Sequence, residues 1–362
     1  MWVKLFDSKR KKGENVVKDG KRSKPRIADI AAAAGVSIAT ASNVLAHRKQ
    51  YHSEAGLRVL RISKEMGYQA KDRADLRKCI RFIIYKKHGQ IVMDTPFFAE
   101  LIGGIEQACR MRKYELLISY VDASKDPNYT AQIQSLVQDS SMPLLLLATE
   151  MDEDDLAPFL HTQIPLLILD SPFRKPSLEV VVMNNQDAGR QAAEHLFDHG
   201  HRHMGYIGSS LGIYNMDDRF WGFHTTLHQK GVKLKPEDKL LVEPTMEGAY
   251  QCMQKLLLDR KTPLPTAFFA ANDIIAAGAS RALKAAGYRL PQDVSMIGMD
   301  DMPFCQILNP TLTTLAVPKR PIGETAVMRL IEMVRHPDDV SRKTFIGVTL
   351  IVRESVATIE TA

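Results

Sequence analysis

Four polar residues stand directly behind apolar runs: Asp170 after "LLIL", Asn272 and Asp273 after "AFFAA", and Asp300 after "SMIGM". If those runs are parallel strands, the four sit beyond carboxyl ends, where doubly wound sheets bind ligands. Carboxylates accept several hydrogen bonds and an amide both donates and accepts, so the set suits a hydroxyl-rich small molecule. Asp273 is expected to cap the following helix instead. An enzyme that uses Asp170 and Asp300 as paired carboxylates is an alternative, but no nucleophile elbow, P-loop or HExxH motif supports it. "HGHRH" places His199, His201 and His203 at alternate positions around Gly200, the pattern of a helix C-cap and turn more than of a metal site. Cys79, Cys109, Cys252 and Cys305 are widely spaced and read as reduced thiols. No metal and no cofactor is expected.

A second chemistry lies near the N-terminus. Residues 1–78 carry a net charge of +11 and the remainder −5, on a chain of +6 overall. A basic head on an acidic body calls for a polyanionic partner at the head, nucleic acid first and an anionic membrane surface second. Inside the head runs "ADIAAAAGVSIATASNVL". Ile27, Ile30, Ala31 and Ala34 recur at helical spacing, Gly35 ends that helix, and Ser37 can cap a second one to Leu45. A third helix opens at Ser53 and runs to about Met66, with Leu57, Leu60 and Met66 as core contacts. Small residues let short helices cross closely, which is the helix-turn-helix plan. Ala41, Val44 and Leu45 share the inner face of the second helix. Ile38, Ala39, Ser42 and Asn43 are left outside as i, i+4 pairs. That face offers hydroxyls for phosphates, apolar groups for thymine methyls and one amide for adenine.

The positioning elements follow from the rhythm. "IRFIIY", "ELLISY", "LLLLA", "PLLILD", "MGYIG", "TAFFAA" and "VSMIGMD" read as buried strands, separated by helical patterns such as Phe98/Leu101/Ile102/Ile105/Cys109. Strand alternating with helix over some 280 residues implies two lobes of doubly wound parallel sheet with a cleft between them. No stretch approaches the roughly 18 apolar residues of a membrane span, and the N-terminus has no signal-peptide core; a cytoplasmic protein is expected.

The chain resembles the lactose/galactose repressor family of bacterial transcription regulators. The resemblance rests on "IADIAAAAGVSIATASNVL" and "YHSEAGLRVLRISKEMGY", then "DTPFFAELIGGIEQACRMRKYELLI", "AAEHLFDHGHRHMGYIG", "DRFWGF", "AFFAANDIIAAGASRALKAAGYRLPQDVSMIGMDD", "LNPTLTTL" and "VRESVA", in the family's order over residues 25–357. It implies an all-α helix-turn-helix headpiece, a hinge, and a two-lobed α/β core like a periplasmic sugar-binding protein, crossed three times by the chain. By position it assigns base reading to Ile38, Ala39 and Asn43 and phosphate contacts to Thr40 and Ser42; Ser37 completes the expected DNA-contact set. Leu76 takes the place of the family's hinge leucine, which wedges into the minor groove, but one residue early. Ala70 replaces the usual proline. One residue rotates a helix face by about 100°, so little DNA bending is expected. Effector contacts are implied at Asp170, Arg219, Asn272 and Asp300, and near "TPFF", where Phe97 or Phe98 offers a ring an apolar face. Val317 and Pro318 stand where the family often has a polar residue, and Pro244-Thr245 where it often has an aromatic one. A lactose or galactose analogue is therefore not the expected ligand.

The expected layout is a basic leader (1–24), a helix-turn-helix domain (25–68), a hinge (69–78) and an effector-binding and dimerisation core (79–362). The expected function is a homodimeric, sequence-specific transcription regulator, a repressor by preference. It would bind an approximately palindromic double-stranded operator and respond to a carbohydrate or nucleoside-like effector. A stand-alone sugar-binding receptor is the rival, disfavoured by the basic head and the missing signal peptide.

Overall fold

The computed structural model describes residues 27–46, 53–66, 78–92, 96–175, 177–337 and 340–360. The chain forms two compact units that divide between Asp75 and Leu76. The leader and Leu76 lie outside the described residues, as does all of the expected hinge except Lys78.

The first unit holds three helices, α1 (Ile27–Ala34), α2 (Ile38–Ala46) and α3 (Glu54–Glu65). Gly35 turns the chain between the first two at φ +65°, a conformation that penalises a side chain. The Ser37 hydroxyl then accepts the Thr40 N–H at 3.0 Å and starts α2. Ile30, Ala31, Ala34, Ala41, Val44, Leu45 and Val59 form the small core, so α2 buries the face its spacing predicts. α3 differs from expectation. Its buried residues are Gly56, Val59 and Ser63, whereas Leu57 is 56% and Met66 39% exposed. Small residues face α1 because the helices cross closely, and the larger leucine is turned out. Arg58 donates through Nε to the Ala34 carbonyl at 2.9 Å, satisfying an end of α1.

The second unit contains two six-stranded sheets. β1 (Cys79–Lys86), β2 (Glu115–Asp122), β3 (Leu144–Leu147), β4 (Leu166–Leu169) and β5 (Glu179–Met183) build the first lobe with α4 (Pro96–Met111) and α5 (Tyr129–Gln138). β6 (Met204–Ser209), β7 (Lys239–Val242), β8 (Ala267–Ala270), β9 (Ser295–Asp300) and β10 (Thr313–Ala316) build the second. The second lobe's helices are α7 (Asn185–Asp198), α8 (Tyr214–Gln229), α9 (Met246–Asp259) and α10 (Asp273–Ala285); the short α6 (Glu153–Leu156) follows β3. α11 (Lys319–Arg335) and β11 (Lys343–Ile346) return to the first lobe, and β12 (Thr349–Ile351) to the second. The chain therefore crosses three times, near residues 184, 317 and 348. All described pairings are parallel except β10 with β12. The inner strands are covered on both faces, which is why "LLLL" and "AFFA" are apolar at every position; "ELLISY", expected to be buried, is instead the edge strand β2, paired on one side only, with Leu117, Ile118 and Tyr120 exposed.

One helix crossing sets the depth of the site. A Cβ on Gly189 of α7 would lie 2.1 Å from the Arg219 carbonyl of α8, and one on Gly222 would lie 2.0 Å from the Gln186 carbonyl. Two glycines thus let α7 and α8 touch backbone to backbone and carry Arg219 inward.

Candidate functional site

Strand ends of the two lobes face each other across a cavity with about 470 Å³ of empty space, counting its mouth. All six residues expected at the effector site line it: Phe97, Phe98, Asp170, Arg219, Asn272 and Asp300. Asp170 ends β4 at φ +60°, and Asp300 ends β9 at φ +113°. These are backbone regions that residues other than glycine rarely occupy, and they aim both carboxyl groups across the cleft. Phe97 and Phe98 open α4, each 8% exposed, with ring centres 5.0 Å apart and planes at 73°. Met183, Met216 and Met302 supply more of the apolar lining.

Arg219 comes from α8 and is buried, not on the surface beside Asp217. It donates through Nε to Asn185 Oδ1 (2.9 Å), through Nη1 to the Ala271 carbonyl (2.5 Å) and through Nη2 to Met183 Sδ (3.2 Å). Asn185 donates to Asn215 (2.9 Å), and Asn215 donates to the carbonyl and carboxylate of Asp170 (2.9 and 3.1 Å). Thr149 gives its hydroxyl proton to the other Asp170 oxygen at 2.6 Å. A continuous relay therefore runs from the second lobe to the first. Sequence reasoning missed Asn185, Asn215 and Thr149; the position of Thr149 just past "LLLLA" was the one available signal.

Asn272, not Asp273, caps α10: its Oδ1 accepts the Ile275 N–H at 2.8 Å, and among the described residues no hydrogen bond engages its amide nitrogen. The expected capping role of Asp273 is corrected accordingly. Its carboxylate is turned into the protein, where it accepts from the Thr314 hydroxyl (2.6 Å) and the Met302 N–H (2.8 Å) behind the cavity wall. Buried there, it gains more from two fixed donors than a cap on the rim would give.

Charge is crowded at this point. Burial pushes the Asp170 carboxyl up to about 6; Thr149 and the Arg219 guanidinium oppose the rise and Asp300 adds to it. Burial also raises Asp300, against Arg219 and Lys319, and raises Asp273, with Asp300 adding to the rise. Lys319 donates to the Asp300 carbonyl at 2.6 Å. Among the described residues no hydrogen bond engages the Asp300 carboxylate. The cavity thus offers a ligand one free anionic acceptor, one free amide donor and a pair of aromatic faces.

The three histidines each have a structural place. His199 is the C-cap of α7, His201 contacts Thr266 Oγ1 (2.9 Å) and the Ala357 carbonyl (3.1 Å), and His203 contacts Asp238 (2.7 Å). Gly200 carries φ +87°.

In the first unit Ile38 is 60% exposed, and Ser37 and Thr40 are exposed beside it. Ala39, Ser42 and Asn43 lie on α2, but their side chains are outside the described set. Ala41, Val44 and Leu45 of the same helix are buried, as the spacing predicts.

Residues 26–71 match the family described as bacterial regulatory proteins, lacI family, and residues 193–356 match the periplasmic binding protein-like domain. The chain is 30% identical over 336 residues to the HTH-type transcriptional repressor PurR of Mannheimia succiniciproducens, covering 91% of this chain and 98% of that one. It is 30% identical over 333 residues to the ribose operon repressor of Haemophilus influenzae, covering 91% and 97%. Among solved structures it is similar to a LacI family transcriptional regulator from Enterococcus faecalis with bound ribose, at 26% identity and a TM-score of 0.65, covering 78% and 100%. A helix-turn-helix unit joined to two opposed parallel sheets, matched at this level along nine-tenths of the chain, leaves one conclusion: the chain belongs to the lacI family of bacterial regulatory proteins and is a DNA-binding transcriptional repressor, not an enzyme, under the control of a small effector.

Proposed function

We propose that this repressor binds a polyhydroxylated or nucleoside-like metabolite between its lobes and works in the cytoplasm as a homodimer on an approximately palindromic operator. One observation supports the ligand assignment: Asp300, whose carboxylate has no donor among the described residues, lines one cavity with the Phe97–Phe98 pair and with Asn272, whose amide nitrogen is likewise unengaged among them. An anionic acceptor drawn partly out of water without a partner is costly, and a ligand rich in O–H or N–H groups relieves that cost. An aromatic pair beside it suits the flat face of a sugar or base ring. Asp170 is already occupied by Thr149 and Asn215, so its role is to accept one further donor and to hold the relay.

On DNA, α2 enters the major groove with Ile38, Ala39 and Asn43 toward bases and Ser37, Thr40 and Ser42 toward phosphates. A two-fold dimer reads two half-sites. Selection of bound DNA from a random pool should return an imperfect palindrome, and binding should weaken steeply with salt. Isothermal titration with a panel of sugars and nucleosides tests the cavity. A sequence-blind, salt-insensitive interaction would defeat the DNA reading, and silence across the panel would defeat the ligand reading.

A further inference from the structure

Glu150 follows Thr149 at the carboxyl end of β3 and is 2% exposed. Its carboxylate accepts five backbone N–H groups. Oε2 takes those of Lys87 (2.8 Å), His88 (3.0 Å) and Gly89 (2.9 Å). Oε1 takes those of Ile91 (2.9 Å) and Val92 (2.8 Å). The His88 ring lies 3.3 Å away, but burial lowers its pKa, so it is no counter-cation. The charge is thus compensated by peptide dipoles, a nest closed on an anion. Burial alone would raise the Glu150 carboxyl; the backbone donors outweigh it and hold the group below its ordinary value.

What the carboxylate grips is the connection from β1 to α4. Gly89 turns in it at φ +65°. Ile91, within the gripped segment, and Phe97 and Phe98, just beyond it, line the cavity. On the other side, Thr149 lines the same cavity and bonds Asp170. Further ties run the same way: Tyr85 Oη donates to Asp155 at 2.8 Å, and Lys87 Nζ reaches Asp155 at 2.8 Å and Asp152. Segment 85–92 is therefore fastened to segment 149–155 at many points, with Glu150 at the centre.

We infer that Glu150 is a positioning residue of the effector cavity: it fixes segment 87–92 against the end of β3 and so sets the wall of Ile91, Phe97 and Phe98 opposite Asp170. The inference rests on the reading of this cavity as the effector site. A carboxylate is suited to the task because it accepts at both oxygens. In Glu150→Gln the amide –NH2 must face at least two backbone N–H groups in either orientation, and each such clash strands a buried donor.

The test uses the full-length dimer and Glu150→Gln. Hydrogen exchange should quicken at least about tenfold both in residues 87–92 and in the first turn of α4. Affinity for whichever of ribose, cellobiose or adenosine saturates the wild type should fall at least about tenfold. Ligand-free operator affinity should stay within about threefold. Faster exchange confined to 87–92, with the α4 turn and ligand affinity as in wild type, would overturn the inference and leave Glu150 a local brace. If the wild type binds none of the three probes, the ligand reading fails, and exchange in the α4 turn still decides the role of Glu150. Should the Gln variant not fold, Glu150→Asp takes its place: it keeps the charge but retracts it by one methylene. Wild-type exchange in its α4 turn would equally refute the proposal.

Discussion

Asp300→Asn should stabilise the ligand-free core while destroying effector binding. The Asp300 carboxylate is half-buried, accepts no hydrogen bond among the described residues, and stands near the carboxylates of Asp170 and Asp273. Arg219 and Lys319 offset part of its cost, yet the balance still disfavours the charge. Amide for carboxylate keeps the shape and removes one of three crowded negative charges. A half-buried, partly compensated charge costs on the order of 1–2 kcal/mol, so the variant should gain about that much, or about 2–4 °C in melting temperature. The sign is checked against pH. A carboxyl whose folded pKa is raised penalises the folded state at pH above that value, and the penalty fades as pH falls toward 3.8. The gain should therefore be full at pH 8 and nearly absent at pH 4. Ligand affinity should drop at least about a hundredfold, because the free anionic acceptor is gone. Differential scanning calorimetry between pH 4 and 8 and titration with the saturating ligand read both effects. A variant that melts lower than wild type at pH 8, or that still binds within threefold, would refute the reasoning.

Further outcomes are expected elsewhere in the chain. Asn43→Ala should relax preference at one base pair by about 1–3 kcal/mol while Ser42→Ala weakens all sequences alike; uniform losses in both, measured on an operator and its single-base variants, would reverse the assigned roles. Leu76→Ala should keep operator affinity within about threefold and leave the small bend unchanged in circular-permutation gel shifts, since the leucine stands one residue out of place; a strong central kink lost in the variant contradicts this. His201 is held neutral, its pKa pushed down to about 4 by burial, so the unfolded chain takes up the proton first. Its contribution is complete above pH 6.5 and is lost as pH falls toward 4, up to about 3 kcal/mol. His201→Gln should flatten the acid limb of the stability curve, and an unchanged limb tells against it.

Much of the fold was legible because its inner strands are buried on both sides. "LLLLA" and "TAFFAA" leave no alternative to β3 and β8 in a chain that alternates with amphipathic helices. β5 escaped because "EVVVM" opens on Glu179, a residue that looks like surface. Its carboxylate is in fact paired with the buried Arg329 at 2.6 and 3.1 Å. β7, β10, β11 and β12 escaped because three or four residues carry too little periodicity. The strand-end rule pointed to Asp170, Asn272-Asp273 and Asp300 without knowledge of either lobe's partner, and Asp170, Asn272 and Asp300 line the cavity. It could not separate Asn272 from Asp273, since "AANDII" permits a cap at either. The choice depends on Thr314 and the Met302 N–H arriving from distant strands to receive the carboxylate. The same limit hid Asn185 and Asn215, whose importance exists only once α7, α8 and β4 meet.

The strained aspartates tie these observations together. Asp170, Asp300 and Asp301 all hold positive φ, at +60°, +113° and +50°. Such conformations persist only where surrounding contacts over-determine them. Here the contacts come from two segments that follow lobe crossings and from α8 of the second lobe. Lys319, just past the second crossing, donates to the Asp300 carbonyl. Arg353, just past the third and its short β12, pairs with Asp301 at 2.7 Å and bonds the Leu312 carbonyl at 2.8 Å. Asn215 of the second lobe holds the Asp170 carbonyl in the first. The backbone that carries these cavity-lining carboxylates is therefore fixed in part by contacts that join the lobes. A ligand that drew on Asp300 or Asp170 would act on the restraints between lobes directly, with no need of a separate relay. Coupling in this family requires an effector to favour one arrangement of the lobes over another, and a site whose geometry is held by the crossings gives any ligand that differential grip.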